Sequence, residues 1–132
     1  MSRSSVPSLH GRVVVITRPA GIGAGLARRV KALGGRPVLL PGLALRAIDD
    51  AATRAALAHA LRADGVIFTS PAAVRYAAAL VPLLADCAAI GVGQGTARAL
   101  RRAGVASPQA PERQDSEGVL ALPALQSLDS RR

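Results

Sequence analysis

Runs of branched apolar residues alternate along this chain with stretches in which apolar positions recur every three or four residues. Val13 to Thr17 (VVVIT) is a continuous apolar run and predicts a strand buried on both faces, as in a parallel sheet. Leu26, Val30 and Leu33 then recur at helical spacing with Arg28, Arg29 and Lys31 between them, and Gly34-Gly35 stops the helix. Pro37 to Ile48 (PVLLPGLALRAI) is extended, but Pro41 and Gly42 make it an edge strand or a connector. Asp49 and Asp50 read as caps for a helix carrying Leu57 and Leu61. Gly65 to Thr69 (GVIFT) predicts a third strand, and Ser70-Pro71 a helix start that turns Val74, Ala77, Ala78 and Val81 inward until Pro82 disturbs it. Ala88 to Val92 predicts a fourth strand, followed by a Gly-Gln-Gly-Thr turn and a helix that Gly104 ends. Val105 to Ala110 is a candidate fifth strand, and Asp115-Ser116-Glu117-Gly118 opens a last helix ending near Gln126. This alternation predicts an α/β fold with a parallel sheet and right-handed crossovers.

Length and composition narrow the class. A chain of 132 residues, half of them apolar and 19% charged, can form a core without disulfide or metal support. A lone Cys87 forms neither an internal disulfide nor a multi-cysteine metal site, which suits a reducing compartment, and it reads as a small apolar residue. Residues 1–12 form a polar tail without the apolar run of a secretory signal. The apolar tract from Tyr76 to Gly93 is broken by Pro82 and Asp86 and is no membrane span. We therefore expect a cytoplasmic protein.

The net charge of +9 raises nucleic acid as a partner, but the basic residues are spread along the chain, and one Tyr, one Phe and no Trp leave almost nothing for bases to stack on. The same charge suits a polyanionic small molecule. Gly21-Ile22-Gly23-Ala24-Gly25 resembles part of a dinucleotide fingerprint, but Arg18-Pro19 separates it from the strand, Leu26 stands where the last glycine belongs, and the acidic partner falls in an apolar run. Close helix–sheet approach explains these glycines better. His10 and His59 read as solvated, Tyr76 as packing, and neither a nucleophile elbow, a zinc-protease motif nor a P-loop occurs. No cofactor and no metal is expected, and any catalysis must work by positioning and electrostatics.

Chemistry is concentrated in the turns that follow the strands. In an open α/β sheet these turns lie at the carboxyl ends of the strands, where helix N-termini offer unpaired N–H groups and a positive dipole end. Arg18, Thr69-Ser70, Gly93-Gln94-Gly95-Thr96 and Ser116 to Gly118 would form a shallow anion-binding rim. Helix capping is the competing explanation for Ser70, Thr96 and Ser116.

The series VVVITRPAG, RPVLLPGLAL, GVIFTSPAAV, AAIGVGQGTARALRRAGV and DSEGVLALPAL, in this order, resembles the N-terminal part of the uroporphyrinogen-III synthase family of tetrapyrrole biosynthesis. The resemblance implies two flavodoxin-like domains joined by a two-stranded connector, in an enzyme that is usually monomeric. Mapped here, residues 13–35 would be the first strand and helix of one domain, 36–49 the connector and 50–132 the first part of the second domain. It further implies a hydro-lyase that cyclises hydroxymethylbilane with inversion of its last pyrrole ring and loss of water. Thr69, Ser70, Gly93, Gln94, Gly95, Ser116, Gly118 and Arg18 would then hold substrate carboxylates, and Thr96 would assist loss of the hydroxyl group. Since the chain has about half the family's usual length, the resemblance also implies a fragment that is inactive alone or works with a complementary C-terminal half. The alternative is a noncatalytic flavodoxin-like module that binds anions or a protein partner.

Overall fold

The computed structural model describes residues 8–83 and 88–129, so Cys87 and the first seven residues of the polar tail lie outside the described residues. The chain divides into two compact units, residues 1–47 and 48–132.

The first unit is one β-α-β crossover. Strand β1 (Val13–Ile16) leads through a turn to helix α1 (Ala24–Ala32) and then to strand β2 (Arg36–Leu39). The strands are parallel, with Val13 opposite Arg36 and Val15 opposite Val38. A Cβ on Gly23, the residue before α1, would stand 2.9 Å from Leu39 Cδ2 and 3.2 Å from Ile16 Cγ2. Gly23 thus lets the helix start lie against the strands, a packing role that needs no nucleotide, whereas a Cβ on Gly21 or Gly25 would meet nothing within 4 Å. Val30 and Ile16 are buried between helix and sheet. Burial of β1 on both faces does not occur: Val13 and Val15 are each 52% exposed. Among the described residues of this unit α1 is the helix that packs on this sheet, so one face is closed and the other exposed. Of the Pro37 to Ile48 stretch, Pro37, Val38 and Leu39 lie in β2, while residues 40–47 carry no regular secondary structure.

The second unit runs through helix α2 (Ala51–Ala60), strand β3 (Gly65–Phe68), helix α3 (Pro71–Leu80), strand β4 (Ala88–Gly91), helix α4 (Gln94–Arg102) and the short helix α5 (Ser116–Leu120). Strands β3 and β4 are parallel, with Ile67 opposite Ile90. Phe68, Val74, Ala77, Leu83, Ala89 and Leu100 form its core, and Leu57, Leu61 and Val66 pack against it. Full burial of one such large side chain contributes about 1.5–3 kcal/mol. Helix α4 shows why its sequence folds this way: Thr96, Ala97 and Leu100 are buried on one side, while Arg98, Arg101 and Arg102 face water. Helix α3 ends with Val81 in extended backbone, the conformation that a following proline imposes.

Two predicted elements are shorter than expected. The candidate strand Val105 to Ala110 is reduced to a single parallel bridge between Gln109 and Ile90, held by Gly91 N–H to Gln109 O at 2.8 Å and Gln109 N–H to Ala89 O at 2.9 Å. Pro108 and Pro111 flank that bridge without N–H groups, so the ladder cannot lengthen. The last helix stops at Leu120, and Pro123 opens a separate 3-10 turn through Leu125, because proline would remove a helical hydrogen bond and crowd the preceding turn.

Candidate functional site

The turns that leave β3 and β4 lie at the same end of the parallel pair. After β3, Thr69 is exposed and Ser70 caps α3: its Oγ accepts from Ala73 N–H at 3.1 Å, with Pro71 in the first turn. The Ser70 hydroxyl is therefore committed to the helix it starts. After β4, Gly93 is the N-cap of α4 and makes no side-chain cap hydrogen bond, so the first amides of the helix are not capped from that position. The first of them, Gln94 N–H, donates to Gln114 Oε1 at 2.9 Å. The next, on Gly95, has no carbonyl partner within the helix because it belongs to the opening turn.

The two helix starts are neighbours. A Cβ on Gly95 would be 3.8 Å from Pro71 Cγ and 4.0 Å from a terminal guanidinium nitrogen of Arg98. Thr69, Ser70, Gly93, Gln94, Gly95 and Thr96 thus gather at one rim, with two positive dipole ends and the Arg98 cation beside them. Thr96 is 4% exposed and is the buried polar residue of the described chain, so it faces the interior at the base of the rim. Its amide donates to Gly93 O at 3.0 Å, which fixes the turn.

The Ser116 to Gly118 turn is built differently. Asp115, not Ser116, caps α5, its Oδ1 accepting from Gly118 N–H at 2.9 Å, while Ser116 is the exposed first residue of the helix. That hydrogen bond, with the Arg113 guanidinium beside the carboxylate, holds the Asp115 carboxyl below its ordinary value of 3.8. The start of α5 is therefore already occupied by a carboxylate, and the Gly118 amide is spoken for. Gly118 itself is required by space: a Cβ there would fall 1.8 Å from Arg113 O. Arg18 follows β1 and is exposed in the first unit.

Two participants were not singled out in the sequence. Arg98 follows Gly95 by three residues, which is one helical turn and a readable signal. Gln114 reaches Gln94 across 20 positions of sequence, and no local pattern marks it. Asp50 repeats the Asp115 design on α2, accepting from Thr53 N–H at 2.7 Å, and this bond lowers its pKa. Elsewhere in the unit, an apolar cavity of about 230 Å³ lies against Gly65, Ile67, Ala88 and Ile90, on the sheet face turned away from the core, with Leu125 and Leu128 over it. Among the described residues no three His, Cys, Asp or Glu side chains come together as a metal site.

Short parallel strands alternating with helices, with helix starts collected beyond the strands' carboxyl ends, define a mixed α/β protein of flavodoxin-like kind. The family model for uroporphyrinogen-III synthase HemD (HEM4) matches residues 24–131, and the chain belongs to that family of cyclising lyases in haem biosynthesis. No curated protein matches the chain. No described helix is long and apolar enough to cross a membrane.

Proposed function

We propose that this chain acts on hydroxymethylbilane, directing its closure to uroporphyrinogen III with inversion of the last pyrrole ring and loss of water. The observation that carries this reading is the family match over residues 24–131, and the rim at α3 and α4 supports it chemically. The reaction asks little of a nucleophile. A pyrrole nitrogen expels the substrate's hydroxyl group to leave an azafulvene, and closure at the unsubstituted carbon then gives the uninverted isomer I. Isomer III requires that the substituted carbon attack instead, so that a spiro intermediate can rearrange, and holding the chain in that geometry is the catalytic task.

In this reading, the Gly95 amide and the Arg98 guanidinium grip one substrate carboxylate, with the Thr69 hydroxyl and the start of α3 beside them. Thr96 is the candidate for assisting departure of the hydroxyl group from beneath the rim. Gly93, Gln94 and Ser70 shape the two turns, and Arg18, Ser116 and Gly118 are weaker contributors. The family's layout would place residues 13–35 in one domain, 36–49 in the connector and 50–132 in the other.

The test is to supply the purified chain with fresh hydroxymethylbilane and measure the isomer III to isomer I ratio by chromatography after oxidation, against a no-protein control. Isomer III above that control is the expected result. Isomer I alone from folded protein overturns catalysis by this chain and leaves a noncatalytic anion-binding module, which equilibrium binding of uroporphyrin would then identify.

A further inference from the structure

Three helices of the second unit are capped by the residue that precedes them. Asp50 accepts from Thr53 N–H, Ser70 from Ala73 N–H and Asp115 from Gly118 N–H, in each case the third amide of the helix. Helix α4 is capped from elsewhere: Gln114, 20 residues on, accepts from Gln94 N–H at 2.9 Å. Gly93 and Gln114 are a matched pair. A Cβ at position 93 would stand 2.9 Å from Gln114 Oε1 and 3.6 Å from its Cβ, so an ordinary N-cap residue and this side chain compete for the same space. The exchange changes which amide is covered. Gln114 takes the first amide of α4, and the third, Thr96 N–H, turns back to Gly93 O at 3.0 Å. The second, on Gly95, is left without a side-chain cap, with Arg98 beside it.

Gln114 is anchored on both sides. Before it, Gln109 is bonded to β4 through Gly91 N–H and Ala89 O, and Pro111 is buried. After it, Asp115 is tied to Gly118 N–H and paired with Arg113. The side chain therefore reaches Gln94 from a fixed base, which lowers the entropy lost in making the bond. Its chemistry is as particular as its place. Asn would fall one methylene short, and Glu would span the distance but set a negative charge beside the Gly95 amide, where it would oppose an incoming carboxylate. Glutamine supplies an acceptor of that reach without charge. The other cap at this rim, Ser70, is neutral too, whereas aspartates cap α2 and α5.

We propose that Gln114 is a positioning residue of the α4 rim: by covering the first amide with a neutral oxygen, it directs a substrate carboxylate to the Gly95 amide and Arg98. It acts through those two groups and touches no reacting atom. The assignment rests on the reading of this rim as the place where substrate carboxylates are held. A clamp that merely fastened residues 105–115 to α4 would affect stability on removal and leave the choice of amide alone.

Two probes test it on the full chain: tricarballylate, a carboxylate ligand with no aromatic ring to disturb the spectrum, and uroporphyrin III for affinity. A carboxylate that bonds to an amide moves its proton signal downfield, and with tricarballylate the Gly95 proton is expected to move at least about threefold farther than that of Gln94. Gln114→Met keeps the length of the side chain and removes the acceptor, and the Gln94 proton is then expected to move as far as that of Gly95. Gln114→Glu keeps the bond and adds charge, and it is expected to weaken uroporphyrin III about tenfold, a loss that shrinks as salt is raised. Thermal melts followed by circular dichroism check that each chain folds. If Gln114→Met does not fold, Gln114→Glu decides, and unweakened binding overturns the proposal. Equal movement of Gln94 and Gly95 in the unaltered chain overturns it, as does an unchanged pattern in folded Gln114→Met or no response at Gly95. The isomer assay separates this assignment from the reading beneath it. Isomer I alone with the Gly95 pattern intact overturns catalysis and supports the role of Gln114, whereas isomer III with equal movement of the two amides overturns the role of Gln114 alone.

Discussion

The two units use the same strand–helix alternation and reach opposite balances. The second buries Phe68, Val74, Leu83 and Leu100 in a common core and distributes both signs of charge over its surface. The first closes one sheet face with α1, leaves the other to solvent, and carries cations only. Local sequence pattern accounts for the elements in both, so the contrast teaches that regular elements and a completed core are separate achievements. A β-α-β crossover can be specified locally, while covering its second face needs chain from elsewhere.

The sharpest way to break this comparison is to remove the same kind of contact from each unit. Leu100→Ala takes a side chain that is 0% exposed out of the second unit's core and is expected to cost about 2–5 kcal/mol in chemical denaturation. Val15→Ala on the bare face of the first unit is expected to change stability by less than about 0.5 kcal/mol. Equal losses would mean that Val15 is covered in solution.

Gly118→Ala comes next, because its Cβ would collide with Arg113 O and the turn must open to admit it. We expect about 1–3 kcal/mol of destabilisation, with faster amide exchange confined to residues 113–120. Thr96→Val keeps the size and burial of the side chain and removes only its hydroxyl. If that hydroxyl assists departure of the substrate's, the rate of isomer III formation falls about tenfold, close to 1.4 kcal/mol in barrier height, while the melting temperature is unchanged. A loss of stability with unchanged rate would reduce Thr96 to a packing residue.

The smallest effect is also the most local. Asp50 and Asp115 have carboxyl pKa values below their ordinary 3.8, each through the backbone N–H it caps. Their contribution to stability is present above 3.8 and disappears as pH falls through the lowered folded-state value. Acid titration followed by amide chemical shifts should therefore disturb the starts of α2 and α5, and Asp115→Asn should abolish the response at α5. The first unit has no carboxylate side chain to protonate, so β1 and β2 should stay unchanged across the same range.

Much of this architecture is legible from neighbouring residues. Ser70-Pro71 marks the start of α3 because both residues act within one turn, and Gly34 marks the end of α1, where its φ is +75°. The fifth strand falls short of its residue pattern: an apolar pattern is visible at Val105, but the missing N–H groups of Pro108 and Pro111 decide the outcome. The last helix is cut short for the same reason at Pro123. At the rim, Gly93 to Thr96 is recognisable as a turn, yet the cap of α5 falls on Asp115 rather than on the hydroxyl beside it, since the aspartate already has the backbone conformation that reaches Gly118. Gln114 was invisible because its partner is remote in sequence. The exposure of Val13 and Val15 was equally hidden, because a run of valines records what a strand can bury and not whether anything arrives to cover it.

The hydrogen bond from Gln94 to Gln114 makes the first amide of α4 a filled position rather than an empty one. A carboxylate arriving at that amide, unlike one held at Gly95, does not add a bond; it exchanges with a neutral amide oxygen that is tethered to the same chain and always at hand. Its advantage is the difference between a charge-assisted bond and a neutral one, reduced by the high effective concentration of the resident group. Such a built-in competitor discriminates by charge: a neutral ligand gains almost nothing by evicting it, and a carboxylate does.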